Sequence, residues 1–175
     1  MSKILAVVYS YTGTSRRLAQ LLVAQQQWAL GEVREARPRS GVAGISRCLL
    51  DSFFRRCPEI RYDGPSPNEF DAVVLISPIW AYRLAGPMRS FVVAQRASLR
   101  DFAVISVMGG SGAPNAVAEV TRLIGRPPLL NAAFKSREVE DGRCAGRLQA
   151  FANAVQEARD SSRVVRRSTW SPQGA

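Results

Sequence analysis

Apolar positions along the chain fall into short blocks that alternate between two periods. Lys3 to Tyr9 is a continuous apolar run with two valines, the pattern of a strand buried on both faces. A polar stretch follows at Ser10 to Ser15. Leu18, Leu21, Leu22 and Gln25 then recur at three- and four-residue spacing, which predicts an amphipathic helix from Ser15 to Trp28. Glu32 to Ala36 is a weak strand candidate, and Pro38 to Gly44 reads as a loop of Gly, Pro, Ser and Arg. Ile45, Cys48, Leu49, Ser52 and Phe53 mark a second helix face that ends before Pro58, and Asp63 to Asn68 is turn chemistry.

The second half repeats the alternation. Phe70 to Ile76 predicts a buried strand closed by Ser77-Pro78. A loop with two aromatics, Ile79-Trp80-Ala81-Tyr82, leads through Gly86-Pro87 into a helix carrying Met88, Phe91, Val92 and Gln95. Phe102 to Val107 predicts a further strand, with Gly109-Gly110-Ser111-Gly112 as a tight loop after it. Val117, Val120 and Ile124 line the next helix, which stops at Gly125. Leu129 to Phe134 is the last strand, and Ala145, Leu148, Phe151, Ala152 and Val155 line the last helix. Strands alternating with helices argue for a parallel sheet covered on both faces. No internal repeat or linker splits the chain. The division expected is one domain over residues 1–158 and a basic tail over 159–175 without helical periodicity, of the kind that frays.

Composition narrows the chemistry. With 175 residues and a 46% hydrophobic fraction, a single domain buries roughly 70% of its unfolded surface and needs no disulfide or metal staple. No apolar run approaches the ~20 residues that span a bilayer. The first apolar run stops at Tyr9-Ser10, short of the ~7–15 residues of a signal-peptide core, so the cytoplasm is the expected compartment. Three cysteines, Cys48, Cys57 and Cys144, form no CxxC pair, and histidine is absent. A Cys/His zinc site and a Ser-His-Asp triad are therefore excluded, and redox or acid–base chemistry must come from a bound group. The charge is +10, from 24 basic and 14 acidic residues; apart from Lys3 and Lys135 every basic residue is arginine. Such a balance favours anions: nucleotides, nucleic acid or an acidic protein. The arginines are dispersed, with no clustered stripe, which also fits solvated faces and argues against nucleic acid.

In parallel sheets, ligands bind beyond the carboxyl ends of the strands, where strand order reverses. Three loops leave such ends here. Ser10, Thr12, Thr14 and Ser15 place four hydroxyls around Gly13 just where a helix begins, an arrangement suited to phosphate through free N–H groups and the helix dipole. Plain N-capping needs only one of them. Arg16 and Arg17 in the first turn also call for a nearby anion. The loop is neither a Walker A sequence nor a GxGxxG turn. Trp80 and Tyr82 after the third strand suit either packing or stacking on a flat ring. Gly109 to Gly112 exposes backbone N–H groups, or is an ordinary turn.

Ser10-x-Thr12-Gly13-x-Ser15 resembles the phosphate-loop pattern [ST]-x-T-G-x-[ST] of the flavodoxin family, directly after the first strand. Ser77-Pro78-Ile79-Trp80 resembles that family's flavin-ring loop, and Gly109-Gly110-Ser111-Gly112 stands where its second ring-contacting loop lies. Ile45 to Arg61 is similar to the extra helix of a bacterial subgroup. The resemblance spans Lys3 to Gln156 and implies a doubly wound α/β fold with five parallel strands in the order 2-1-3-4-5, helices on both faces, and noncovalent FMN. Carried over, Ser10, Thr12, Gly13, Thr14 and Ser15 would hold the phosphate, with Tyr11 of the same loop also on the cofactor, Trp80 would flank the ring, and backbone groups of Pro78, Ile79, Ala81 and Tyr82 with Gly109, Gly110, Ser111 and Gly112 would surround its edge. Two features depart from the family: the charge is basic, and the third loop lacks the tyrosine that covers the second ring face in electron carriers. The leading reading is an FMN-dependent oxidoreductase passing electrons from NAD(P)H to a quinone or other small acceptor. The alternatives are a flavodoxin-type electron carrier with an acidic redox partner, and a non-enzymatic regulator or nucleic-acid binder. Oligomeric state is left open, a homodimer included.

Overall fold

The computed structural model describes residues 3–36 and 41–168, without the side chains of 41–43, 45, 47–48 and 163–168. Strand β1 (Ile4–Tyr9) is followed by α1 (Thr14–Gln26), β2 (Ala29–Glu35), α2 (Gly41–Phe53) and β3 (Ile60–Asp63). A short 3-10 turn then leads to β4 (Ala72–Trp80), β5 (Arg83–Leu84), α3 (Gly86–Gln95), β6 (Phe102–Met108) and α4 (Ala113–Ile124). The chain ends in β7 (Asn131–Lys135), α5 (Ser136–Glu140) and α6 (Ala145–Ser168). The strand order is β3-β2-β1-β4-β6-β7, with β5 paired to β4. Pairings among β2, β1, β4, β6 and β7 are parallel, whereas β3 and β5 are antiparallel to their neighbours.

The sheet thus has seven strands where the sequence pattern predicts five. The five parallel ones keep the 2-1-3-4-5 sequence, and the additions are the edge strand β3 and the two-residue β5. Neither carries an apolar run long enough to show as a strand. Ile60–Asp63 alternates half-buried and exposed residues beside turn chemistry. Of the loop expected at Pro38 to Gly44, residues 38–40 lie outside the described set, and the chain is helical from Gly41. The predicted helix face at Ile45 and Cys48 involves side chains outside the described set. The last helix continues through the expected tail boundary at 158/159 to Ser168, and Arg159, just past that boundary, is buried and pairs with Asp71 at 2.6 Å. Thr169 to Ala175 lie outside the described residues.

Period-two alternation divides the core. Ile4, Ala6 and Val8 of β1 face one side, packed with Leu18 and Leu22 of α1 and Leu148 and Phe151 of α6. Leu5 and Val7 face the other, with Met88, Phe91 and Val92 of α3 and Val120 of α4. Burial on both faces removes the alternation from the sequence itself, hence the unbroken apolar runs.

On the α3 side the core contains a charge. Arg89 is 2% exposed and Glu119 is 6% exposed, and the Arg89 Nε donates to Glu119 Oε1. Both terminal nitrogens donate to main-chain carbonyls: NH1 to Asp51 in the last turn of α2 at 3.2 Å and to Arg56 just beyond it at 2.9 Å, and NH2 to Leu84 in β5 at 2.9 Å. Four elements meet on one side chain. Arg89→Met leaves a buried unpaired carboxylate and takes the guanidinium donors away from the Arg56 and Leu84 carbonyls, so urea denaturation should show a loss of ~3–5 kcal/mol. The double variant Arg89→Met with Glu119→Leu should recover much of it, since an apolar pair of similar volume restores neutrality.

Candidate functional site at the carboxyl edge of the sheet

The strand order reverses between β1 and β4, because β1 crosses over to β2 on one side and β4 to β6 on the other. Their carboxyl ends, at Tyr9 and Trp80, are where a sheet of this order places its ligands. Gly13 closes the loop after β1 with φ of 97° immediately before α1, a left-handed conformation that glycine adopts without strain. Its N–H donates to Ser10 Oγ at 3.1 Å, and its carbonyl accepts the Arg17 N–H at 2.9 Å. No side chain caps α1. A Cβ built on Gly13 has nothing within 4 Å, so the space in front of the helix N-terminus is open and the demand for glycine is conformational. Thr12 is exposed and Thr14 half-buried, whereas Ser15 lies on the buried face of α1 with Leu18 and Leu22.

The cation in the first turn of α1 finds its anion within the protein. Arg16 Nε donates to Glu32 Oε1 of β2 at 2.7 Å, and Arg34 NH2 donates to Glu32 Oε2 at 2.7 Å. Arg16 therefore does not require a bound phosphate, contrary to the sequence reading. Partial burial raises the Glu32 pKa, but the hydrogen bonds and charges of Arg34 and Arg16 outweigh it and hold the carboxyl below its ordinary value of 4.5.

The second predicted loop is not a loop. β4 runs on through Pro78 and Ile79 to Trp80, held by β6 as far as the Pro78–Val107 pair. It then reverses in a two-residue hairpin and returns as β5, pairing Ile79 with Leu84 and Trp80 with Arg83. The turn residues Ala81 and Tyr82 have φ of 48° and 60°, the signature of the hairpin turn that glycine and asparagine usually supply. In two residues with a Cβ, this conformation costs about 1–2 kcal/mol each. Trp80 is half-buried and meets Tyr9 and Tyr11 edge to face, at centroid distances of 6.0 Å and 5.6 Å. Tyr9 donates its hydroxyl to Glu35 at 2.6 Å.

The third loop rests on the hairpin. Gly109, Gly110 and Ser111 are exposed, and the Lys135 ammonium donates to the Gly110 carbonyl. Gly112 has φ of 115°, and a Cβ there would lie 2.7 Å from Tyr82 Cα and 3.0 Å from Ile79 Cγ2. The structure thus joins the first loop to the hairpin through Tyr11 and Trp80, and the hairpin to the third loop through backbone contact at Gly112. Tyr82, 64% exposed, instead lines a cleft with α2 and α4. Sequence reasoning missed Tyr9, Glu32, Glu35 and Lys135. The position of Lys135 at the carboxyl end of the last strand was the one signal available for it.

No protein-family model matches the chain, and none of the curated proteins matches it. Solved structures do. The architecture is the flavodoxin-like fold. A flavoprotein from Lactobacillus acidophilus NCFM, solved in complex with FMN, superposes with a TM-score of 0.67 at 20% identity, over 81% of this chain and 98% of that one. A WrbA-like flavodoxin protein from Agrobacterium tumefaciens gives 0.58 at 14% identity, over 91% of this chain and 99% of the other. The Trp repressor binding protein from Bacillus subtilis gives 0.53 at 13% identity, over 87% and 98%. At these identities the likeness is one of fold. Among the described residues no helix is long and apolar enough to cross a membrane, and no group of three or more Cys, Asp or Glu side chains is arranged to hold a metal ion.

Two outcomes test this geometry. Gly112→Ala places a methyl against the Tyr82 backbone at a positive φ and should destabilise the protein by at least ~1–2 kcal/mol, whereas Gly109→Ala, in open space, should stay within ~0.5 kcal/mol; thermal melting separates the pair. Because the folded Glu32 pKa is depressed, its contribution is fully present above the ordinary value of 4.5 and is lost as pH falls through the lower folded value. The stability difference between wild type and Glu32→Gln, followed by denaturation from neutral pH downward, should therefore shrink once the pH drops below 4.5.

Proposed function

We propose that the chain binds FMN in the crevice beyond β1 and β4 and works as an FMN-dependent oxidoreductase. The observation that carries this reading is the uncapped N-terminus of α1 behind the open Gly13 turn, set at the reversal of strand order and surrounded by hydroxyls. A helix N-terminus of this kind attracts a phosphate through its free N–H groups and dipole. Thr12 and Thr14 are accessible to such a group, Ser10 fixes the turn by accepting the Gly13 N–H, and Thr14 and Ser15, at the start of α1, offer backbone N–H groups. Trp80 and Tyr11 form the aromatic wall between this loop and the hairpin, and Pro78 to Tyr82 with Gly109 to Gly112 contribute the backbone that would surround the ring edge. The residues present fit the cofactor; when bound, FMN would supply the redox chemistry. The protein binds and orients it and sets its electrostatics. The structural neighbour from Lactobacillus acidophilus, described as a flavoprotein in complex with FMN, supports the choice of flavin. NAD(P)H as donor and a quinone or other small flat molecule as acceptor belong to the same reading.

A second reading follows from the net charge of +10: an electron carrier whose basic surface meets an acidic redox protein. Continuous NAD(P)H oxidation by the isolated, FMN-loaded protein supports the enzyme, and its absence supports the carrier.

Fluorescence titration tests the site. FMN should bind at least ~10-fold more tightly than riboflavin, because a charge-assisted phosphate contact is worth upward of ~1.5 kcal/mol. Gly13→Val, forced into a positive φ, should weaken FMN by ~1–3 kcal/mol. Trp80→Ala should loosen bound FMN by a similar ~1–3 kcal/mol and brighten its emission, as loss of a ring stack does. Equal affinity for the two flavins would refute the phosphate assignment.

A further inference from the structure

On the α2 and α4 side of the hairpin lies a cleft lined by Phe53 and Arg55, by Tyr82 and Arg83, and by Glu119 and Arg122 of α4. Phe53 is 57% and Tyr82 64% exposed, two large rings left in water together where folding usually removes them. The Arg83 guanidinium stands over the Phe53 ring, 5.9 Å from its centroid. Glu119 is the one acidic side chain on the lining, and its charge is already met by the buried Arg89. Among the described residues, Arg55, Arg83 and Arg122 have no carboxylate partner. The cleft therefore gathers three uncompensated cations around two exposed aromatic rings.

Like charges held in one concavity raise one another's energy and focus a field that draws an anion in. Guanidinium forks match carboxylate, phosphate and sulfonate oxygens, while the ring faces accept a planar partner. The positive φ at Ala81 and Tyr82 adds backbone strain at the lip of the cleft, and such strain gathers at ligand sites. We propose that this cleft binds a small planar aromatic molecule carrying two or more negative groups, its ring against Phe53 and Tyr82 and its anionic groups on Arg55, Arg83 and Arg122. A second copy of the chain is a poor occupant, since each copy carries +10. The cleft is made of protein side chains alone, so its ligand can be tested with or without flavin.

The test is isothermal titration of the full-length chain, flavin-free and FMN-loaded, with 1,5-naphthalenedisulfonate as the probe. Propane-1,3-disulfonate serves as the dianion without a ring and 1,5-dihydroxynaphthalene as the ring without charge. The probe should bind at least ~10-fold more tightly than either control, each of which keeps only the ionic or only the ring contact. Raising salt from about 50 to about 300 mM should weaken it several-fold. Arg55→Gln and Arg122→Gln, both at exposed positions, should each weaken the probe by ~5-fold with melting temperature and FMN affinity unchanged. Arg126→Gln, beyond the end of α4, should leave it unaltered. Equal binding of the two disulfonates, or unchanged binding in both cleft variants, overturns the proposal. So does binding of polyglutamate without the probe, which would make the cleft a protein-docking face. One-for-one displacement of the probe by FMN, with both variants losing FMN equally, would overturn it as a separate site. FMN titration of the same samples reports on the flavin crevice independently, so either site can fail while the other stands.

Discussion

A buried guanidinium holds together the half of the molecule that presents the site. Arg89 sends one hydrogen bond to Glu119 of α4 and the others to carbonyls at the end of α2 and in β5. The Arg56 and Leu84 carbonyls belong to segments that turn away from regular pairing, where a buried carbonyl left without a donor costs about 1–3 kcal/mol, whereas the Asp51 carbonyl also accepts the Arg56 N–H at 2.8 Å. A single rigid, five-donor side chain answers them all, which lysine could not do. The hairpin is only two residues deep on its return strand, so its position depends on this anchor more than on its own ladder.

The hairpin in turn sets the candidate site. Its turn has two side-chain-bearing residues in the left-handed region, and its Tyr82 backbone leaves room only for Gly112 beside it. Trp80, at the base, reaches back to Tyr9 and Tyr11. From α2 to the loop after β1, each contact positions the next: Arg89 holds β5, β5 holds the turn, the turn seats the third loop, and Trp80 carries the arrangement across to the helix N-terminus behind Gly13. Strain in the turn is tolerated because the surrounding packing over-determines it.

Much of this was legible in the sequence, and the exceptions have physical causes. Strands β1, β4 and β6 announced themselves because burial on both faces makes an apolar run, and Gly13 among hydroxyls marked the left-handed turn that opens α1. The hairpin at Ala81-Tyr82 did not, because the residues that normally signal such a turn are replaced by two that adopt it under strain. Arg16 appeared to need a phosphate because its partner Glu32 is 16 residues away, on the strand that follows α1. Arg89 read as one more solvated arginine in a chain full of them, since nothing local distinguishes a buried guanidinium from an exposed one. Arg159 was assigned to a fraying tail for the same reason. Long-range pairing of charge is the information that periodicity does not hold.

The short edge strand β3 has a consequence for assembly. It covers β2 with four residues, turns Arg61 and Asp63 outward, and is followed at once by Gly64-Pro65. The other margin, β7, is five residues long and ends in Lys135. Brief, charged margins broken by proline are poor templates for a further strand. A copy of this protein therefore offers its neighbours little backbone to zip onto, and contact between molecules is left to the helical flanks and to side chains, where arginine dominates and salt concentration sets the reach.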